Sequence, residues 1–267
     1  MKHRYLPMTE QDRSEMLAAI GVSSVDELFA DIPEAVRFQG ELPISKPLGE
    51  QALLRHLRTL AGKNADFDRY ASFLGAGIYD HHLPVVINHI ISRSEFYTAY
   101  TPYQPEISQG ELQAIFEFQS YICELTGMTV ANASMYDGAT ALAEAGALAH
   151  GATKRRKLIV SRAVHPEARQ ILLTTARGLN LEVAEIPYAD GVTDLEKLAA
   201  AVDQETAAVI VQSPNFFGCI EDIAEIEPII HGAGGLLVVS CNPLSLGLLE
   251  PPGKLGADIV VGDAQPF

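Results

Sequence analysis

The feature that most restricts the fold of this chain is a series of short apolar segments that alternate with helical patterns in its second half. Five such segments cover residues 157–161, 181–186, 207–212, 236–240 and 257–261. A strand that is apolar at successive positions is buried on both of its faces, which is typical of a parallel sheet covered by helices on both sides. The sequence therefore predicts an α/β fold with a mostly parallel sheet.

The first 65 residues have a different pattern, that of short amphipathic helices. The clearest apolar stripe ends at Gly62 and consists of Leu53, Leu54, Leu57 and Leu60. A helix of this kind must bury its apolar face against another element. We therefore expect a helical N-terminal segment over residues 1–65 and an α/β domain over residues 66–267.

Residues 66–107 are rich in Tyr, His, Gly and Pro and predict an ordered loop with one short helix. Long loops in compact domains are often functional. Just after this stretch, Ser108 and Glu111 have the spacing of a capping box, and so have Thr193 and Glu196. Each pair predicts a helix that begins at its Ser or Thr.

Composition and charge exclude several classes of function. The chain has 34 acidic and 19 basic residues, a formal net charge of −15, which argues against a general nucleic-acid binder. No run approaches about 18 consecutive apolar residues, so no membrane span is expected. The three cysteines are far apart and form no Cys-x-x-Cys pair, which indicates a reducing, cytoplasmic compartment.

The last apolar segment is followed only by residues 262–267, and no closing helix comes after it. We interpret the chain as a fragment of a longer polypeptide, in which a small C-terminal domain is missing.

Several common site motifs are missing from the sequence. It contains no P-loop, no GxGxxG, no HExxH and no GxSxG, so the usual nucleotide, zinc-protease and serine-hydrolase sites are not supported. His81 and His82 are adjacent, and adjacent residues of a strand point to opposite faces, so no metal site is expected. The basic run at 154–157 predicts a solvated corner.

Three segments together form a specific pattern. The first is Tyr-Thr-Ala-Tyr-Thr-Pro-Tyr-Gln-Pro-Glu-Ile-Ser-Gln-Gly at 97–110. The second is Ala-Asn-Ala-Ser at 131–134 with Ala-Thr-Ala at 139–141, and the third is Gly-Ala-Asp-Ile-Val-Val-Gly at 256–262 with Gln-Pro-Phe at 265–267. The pattern closely resembles the glycine dehydrogenase (decarboxylating) family, the P-protein of the glycine cleavage system. The resemblance is to its N-terminal half, which many bacteria make as a separate subunit 1, and it spans essentially the whole chain.

The resemblance implies a fold, a cofactor and a reaction. The fold is the large domain of the fold-type-I enzymes that use pyridoxal phosphate (PLP). The reaction is the decarboxylation of glycine through PLP, followed by transfer of the aminomethyl group to the oxidised lipoyl arm of the H-protein. The implied partners are a lysine-bearing subunit 2, the lipoylated H-protein and glycine, and the implied activity is that of an oxidoreductase complex.

Two positions indicate that this half lacks part of the PLP chemistry. In the lysine-bearing half of the family, a His-Lys-Thr-Phe run stands where this chain has residues 264–267, so the resemblance places Gln265 at the position of the Schiff-base lysine. Glutamine cannot form an imine. Other N-terminal halves tend to carry Asp where this chain has Asn242, and an amide cannot hold a pyridinium by charge. We expect no catalytic residue on this chain alone and PLP bound mainly by the partner subunit.

Further residues are candidates for a vestigial cofactor site, together with Asn242. His165 corresponds to a His in the lysine-bearing half and would stack on PLP, whereas Ser134 and Thr140 lie at a predicted helix start that suits a phosphate. Each also has an ordinary structural explanation. His165 precedes a Pro at a helix start, and Ser and Thr are common at such starts. The sequence leaves both explanations open.

The segment 97–104 is our candidate for an active-site loop that this chain contributes to its partner. Tyr97, Thr98, Tyr100, Tyr103 and Gln104 carry groups that can hydrogen-bond the glycine carboxylate or PLP in the neighbouring subunit. Two prolines stiffen the segment, which suits a preorganised site. The alternative is a loop that is packed for stability alone.

Two other functions stay open at this level. A self-sufficient fold-type-I PLP enzyme would need a Schiff-base lysine, but the lysines beyond the N-terminal segment lie in sequence typical of a surface. These are Lys154, Lys157, Lys197 and Lys254. A non-catalytic scaffold on a degenerate PLP-enzyme fold would agree with Gln265 and Asn242, because fold does not fix function. Such a scaffold has no evident use for the tyrosine-rich segment.

Overall fold

The computed structural model describes residues 5–98 and 101–267 of the 267-residue chain. The chain divides into two compact units, Met1–Ala65 and Asp66–Phe267. Across the described residues, no helix combines the length and the apolar character that are needed to cross a bilayer. Tyr100, one of the predicted loop residues, lies outside the described residues.

The first unit is helical in its described part. It contains the α-helices α1 (Glu10–Ile20) and α2 (Glu50–Ala61) and the 3-10 helices Val25–Phe29 and Glu34–Val36. Thr9 begins α1 with a capping box, because its hydroxyl accepts from Asp12 N at 3.1 Å and its own N–H donates to Asp12 Oδ2 at 2.7 Å. The Thr9 hydroxyl also donates to Asp12 Oδ2 at 2.6 Å, and this hydrogen bond, together with that of the Thr9 N–H, lowers the pKa of Asp12.

The predicted leucine stripe forms on α2. Its four leucines remain 43–51% exposed, and none of the described helices of this unit has a buried residue. The amphipathic pattern therefore predicts the helix correctly, but the expected burial of its apolar face is not seen among the described residues.

The second unit is built on a parallel sheet. Its strands are β1 (Lys157–Ser161), β2 (Glu182–Ile186), β3 (Tyr188–Ala189), β4 (Val192–Thr193), β5 (Thr206–Gln212), β6 (Leu236–Ser240) and β7 (Ile259–Val261). Five of them form the sheet in the order β2-β1-β5-β6-β7, and every neighbouring pair is parallel. The other two, β3 and β4, form a short antiparallel hairpin.

Helices cover both faces of this sheet. The α-helices of the unit are α3 (Val85–Ile91), α4 (Ser94–Tyr97), α5 (Gln109–Thr126), α6 (Gly138–Thr153), α7 (Pro166–Gly178), α8 (Leu195–Ala201) and α9 (Ile223–Gly232), with 3-10 helices at Pro243–Gly247 and Pro252–Leu255. Helices α6 and α7 pack on one face, and α8 and α9 on the other.

The core residues of the strands alternate between these two layers. Leu158 and Val160 belong to the cluster with α6 and α7, whereas Ile159 belongs to the cluster with α8 and α9. All three are fully buried. This is the arrangement that the continuous apolar segments predict, and the predicted fold class of a mostly parallel sheet with helices is confirmed.

Helix α6 lies close to the sheet because small residues face it. Ala145 and Ala149 are buried there. A Cβ atom on Gly146 would lie only 3.0 Å from Leu158 Cδ1 and 3.1 Å from Leu172 Cδ1. Real Cβ contacts are seldom so short, so the glycine sets the distance of closest approach between α6 and the sheet.

The two predicted capping boxes do not form. Ser108 precedes α5, but its side chain makes no capping hydrogen bond. Thr193 lies in β4, where its hydroxyl donates to Ser161 Oγ at 2.7 Å, and Asp194 caps α8 instead by accepting from Lys197 N at 3.0 Å. Burial of the threonine at the strand end takes its hydroxyl out of reach of the helix.

Three further details differ from the sequence-based expectations. The described part of the stretch 66–107 contains two short helices, α3 and α4, rather than one, and the β3–β4 hairpin was not expected. The basic run 154–157 is not a merely solvated corner. The Arg155 side chain donates to Thr206 O at 3.0 Å and Ala233 O at 2.8 Å, so it closes the amino edge of the sheet.

Candidate functional site

A cavity of about 330 Å³ lies where helix α5, the loop before α6 and the segments after β6 and β7 meet. This is the carboxyl edge of the sheet, where open α/β sheets bind their ligands. Two predicted site residues, Ser134 and Gln265, line the cavity. Cys241 and Pro243, the neighbours of Asn242, line it as well. The volume is at the lower end of the range for small-molecule sites.

Helix α6 begins at this cavity, and carboxylates occupy its first turn. Thr140 N donates to Asp137 Oδ1 at 2.7 Å, and Gly138 N donates to Asp263 Oδ1 at 3.0 Å. Hydrogen bonds from Thr140 lower the pKa of Asp137, so this side chain is an anion at neutral pH. The position predicted for a phosphate, at Ser134 and Thr140, is therefore occupied by the carboxylates of Asp137 and Asp263.

Glycine at position 138 is what permits this contact. A Cβ atom there would lie 2.7 Å from Asp263 Oδ2 and 3.1 Å from Asp263 Cγ. Since real Cβ atoms essentially never approach so closely, any other residue would push the carboxylate away. The contact joins positions that are 125 residues apart in the sequence.

No amine lies in the cavity among the described residues. Its lining contains no lysine, arginine or histidine. Lys157 begins β1 and so lies at the opposite edge of the sheet, where its Nζ bonds Asp203 Oδ2 at 2.6 Å. Lys254 is exposed and pairs with Glu250 at 3.3 Å.

The position expected to face the pyridine nitrogen makes only local hydrogen bonds in the described structure. Asn242 follows β6 and begins the next 3-10 helix, where its Oδ1 accepts from Leu244 N at 3.0 Å. The described lining of the cavity contains no lysine, and Asp137 and Asp263 bond the N–H groups at the start of α6, so the residues that line this cavity do not fit PLP. Among the described residues there is also no group of three His, Cys, Asp or Glu side chains that could hold a metal ion.

His165 lies at the same edge of the sheet, at the start of α7. Its Nδ1 accepts from Glu167 N at 3.2 Å, and its Nε2 lies 3.3 Å from Ala76 O. Only a neutral ring with the proton on Nε2 satisfies both contacts. The edge of its ring meets Phe216, with ring centroids 5.3 Å apart. In this arrangement the histidine caps a helix and connects it to the segment 66–107.

The described residues of the tyrosine-rich segment are exposed. Tyr97 ends α4 with 80% of its surface accessible, and Tyr103 is 79% accessible. Thr98 caps α4, because its N–H donates to Ser94 O at 3.1 Å. The side chain of Gln104 is exposed as well. The segment thus presents polar aromatic groups to the outside of the described structure.

A buried polar cluster at the carboxyl edge was missed by the sequence analysis. The Glu221 carboxylate is 4% exposed, and it accepts from Thr193 N at 2.9 Å and from Asn215 Nδ2 at 2.7 Å. Asn215 also donates to Gly191 O at 2.8 Å. A polar run, Ser213-Pro214-Asn215, directly after the buried β5 is the sequence signal that could have indicated this cluster.

A family profile of the glycine cleavage system P-protein matches residues 3–267. The chain belongs to this family. Its most similar relatives include the probable glycine dehydrogenase (decarboxylating) subunit 1 of Bacillus cereus strain B4264, at 66% identity over all 267 residues, and that of Bacillus mycoides strain KBAB4, at 65%. The chain spans 60% of the length of these relatives.

A solved structure of this P-protein family has the same fold. It is the glycine decarboxylase (P-protein) of the glycine cleavage system in an inhibitor-bound form, with a TM-score of 0.81 and 46% identity. The match covers 98% of this chain and 59% of that one. The parallel sheet with its helices is therefore the large-domain fold of the fold-type-I PLP-dependent enzymes, as the sequence predicts.

Proposed function

We propose that this chain acts in subunit 1 of a glycine dehydrogenase (decarboxylating) that works only as a complex with a lysine-bearing subunit 2. The complex decarboxylates glycine and passes the aminomethyl group to the lipoyl arm of the H-protein. Membership of the P-protein family supports the reaction. The observation that carries the division of labour is the cavity at the carboxyl edge of the sheet, whose described lining has no lysine and includes two carboxylates at the start of α6.

In this proposal PLP is bound mainly by the partner subunit, where it supplies an electron sink for the charge left when carbon dioxide departs. The chain described here supports that site without holding the phosphate. Its three cysteines are free thiols, which agrees with a reducing, cytoplasmic location.

The contribution of this chain to the reaction is the segment 97–104. Tyr97 and Tyr103 are about four-fifths exposed, although large aromatic side chains usually bury much of their surface. Farther along, Ile107 and Phe116 are 78% and 71% exposed. We propose that the partner covers this surface, and that the tyrosine hydroxyls and the Gln104 amide then orient the glycine carboxylate.

The test of the function is the exchange of labelled bicarbonate into glycine. The intact subunit is assayed with H-protein and PLP, with and without subunit 2. We expect exchange only when both subunits are present. Exchange by this subunit alone would mean that one of its own lysines binds PLP. Absence of both exchange and association with subunit 2 would refute the proposal.

Borohydride reduction tests the same division of labour by a different readout. It fixes PLP to the lysine that binds it. We expect the reduced adduct on subunit 2 only, so that mass spectrometry finds no modified lysine in this chain.

Tyr97→Phe tests the loop. It removes one hydroxyl and leaves the ring, so we expect association with subunit 2 to stay intact and exchange to fall by about tenfold, which corresponds to about 1.4 kcal/mol for one lost hydrogen bond. Tyr121→Phe, at a residue 65% exposed on α5, is the matched control and should leave exchange unchanged. Equal rates for both variants would favour a scaffold.

A further inference from the structure

Asp263 lies at the start of α6, where the sequence analysis places the phosphate of a ligand. We propose that its carboxylate is a built-in anion that takes the place of that phosphate, closes the start of α6 to phosphorylated ligands and fixes the segment that carries Gln265. The inference rests on the proposed function, because it explains why PLP is held by the partner and not here.

The first support is that the backbone N–H groups in the first turn of α6 already have acceptors within the chain. Gly138 N donates to Asp263 Oδ1 at 3.0 Å, and Thr140 N donates to Asp137 Oδ1 at 2.7 Å. The Ala139 N–H faces the same carboxylate and helps to lower the pKa of Asp137. The next amide, Ala141 N, bonds Asp137 O within the helix at 2.9 Å. A phosphate at a helix start needs these free N–H groups, and every one is taken.

The second support is steric. Asp263 Oδ2 comes so close to Gly138 that a Cβ atom there would lie 2.7 Å away. The Asp263 backbone N would lie 3.2 Å from the same Cβ. The carboxylate and its main chain therefore fill the space in front of the helix start, and a ligand phosphate would have to displace them.

The third support is charge. Asp137 and Asp263 both line the cavity, and no cationic side chain lines it in the described part of the chain. A phosphate between two carboxylates would be repelled by both, most strongly at low ionic strength, because salt screens charges that are open to solvent.

The contact has a consequence for the segment after β7. Gln265 is two residues beyond Asp263 and lines the same cavity. Phe267 N closes a turn on Ala264 O at 3.1 Å. Since the Asp263 carboxylate fixes the start of this turn to α6, it also positions Gln265.

The experiment uses Asp263→Ala in the full-length subunit, with inorganic phosphate as the probe at an ionic strength of about 0.15 M, at which salt screens the remaining charge of Asp137. Asp222→Ala is the matched control, because Asp222 caps α9 by accepting from Glu225 N at 3.2 Å. The readouts are the unfolding midpoint and the hydrogen exchange of the Gly138 amide, which is the donor that Asp263 binds. Both variants should lower the midpoint by about 2–4 °C through the loss of a helix cap.

The expected distinction between the two variants is the response to phosphate. Phosphate should restore the midpoint and the amide protection of Asp263→Ala and should change neither the wild type nor Asp222→Ala. Asp263→Asn keeps an acceptor for Gly138 N, so it should lose less stability than Asp263→Ala and gain nothing from phosphate. This variant also provides the comparison if the alanine variant fails to fold.

Three results would overturn the proposal. The first is stabilisation of the wild type by phosphate with protection of the Gly138 amide, the second is a recovery equally large in Asp222→Ala, and the third is an Asp263→Ala variant that shows no loss or no recovery. None of these readouts uses glycine or subunit 2. A negative result here with bicarbonate exchange intact would therefore refute the role of Asp263 and not the proposed function.

Discussion

Gly138→Ala is the substitution that tests the described geometry most directly. The new Cβ atom would meet Asp263 Oδ2 at 2.7 Å, so the carboxylate must leave Gly138 N. Loss of the cap costs about 1 kcal/mol. The Asp263 backbone N would lie 3.2 Å from the same Cβ atom and cannot rotate away as the carboxylate can, so overpacking adds about 1–3 kcal/mol. Alanine returns at most about 1 kcal/mol of helix propensity. We expect a net loss of about 2 kcal/mol in the free energy of unfolding.

Gly151→Ala in the same helix is the matched control. Gly151 is exposed, and a Cβ atom there would meet nothing within 4 Å. Alanine should therefore stabilise the protein by about 0.5–1 kcal/mol. The two glycine-to-alanine changes in α6 are expected to have opposite signs.

Urea unfolding at neutral pH measures both changes in the free energy of unfolding. In a thermal scan, a loss of about 2 kcal/mol should lower the unfolding midpoint by about 4–8 °C. In an Asp263→Ala background, the Gly138→Ala loss should shrink to less than about 1 kcal/mol, because the atoms that collide are gone. The reasoning is refuted if Gly138→Ala stabilises the protein as Gly151→Ala does, or if its cost is the same in both backgrounds.

Three other features make separate predictions. His231 Nε2 bonds Asp258 Oδ2 at 2.7 Å, and this hydrogen bond raises the pKa of His231 above 6.5. The contribution of His231 to stability should be complete below pH 6.5 and disappear as the pH rises through the raised pKa. In urea unfolding, the difference between the wild type and His231→Gln should therefore shrink from about pH 5.5 to about 8.5. Glu221→Gln keeps one acceptor oxygen and turns its NH₂ group towards the second of two donors, Thr193 N or Asn215 Nδ2, so it should lower the free energy of unfolding by about 1–3 kcal/mol. The exposed Glu225→Gln should change it by less than about 0.5 kcal/mol. Gly146→Ala should cost about 1–3 kcal/mol by calorimetry, since its Cβ would lie 3.0 Å from a buried leucine methyl; a stabilised variant would contradict that contact.

The parallel sheet was predictable because burial on both faces leaves a direct trace in the sequence. Residues 158–160 are apolar in succession, and each is fully buried in one of the two layers. A helix start is less well determined, because its side chain can make other hydrogen bonds. Thr193 has the right spacing for a capping box, but its hydroxyl bonds Ser161 across the strand end.

The candidate site was predictable only in part, for a related reason. Ser134 and Gln265 both line the cavity, and their places could be expected because the sequence puts both near the carboxyl edge of the sheet. The hydrogen bond between Gly138 and Asp263 joins residues 125 positions apart, and no local pattern in the sequence indicates it. The hairpin β3–β4 has only two residues in each strand, too few for an alternating pattern.

The small residues of α6 have a mechanical consequence for the cavity. Position 146 is eight residues from position 138, about 12 Å along the helix axis at 1.5 Å per residue. If α6 moves as a rigid body, a larger side chain at position 146, between the middle of the helix and the sheet, would move the whole helix away from the sheet. The start of α6 would then move away from Asp263, and the cavity would open at its far end without any change in the residues that line it. The distance between α6 and the sheet at Gly146 therefore determines both which residues position 146 tolerates and how closed the cavity is at the start of the helix.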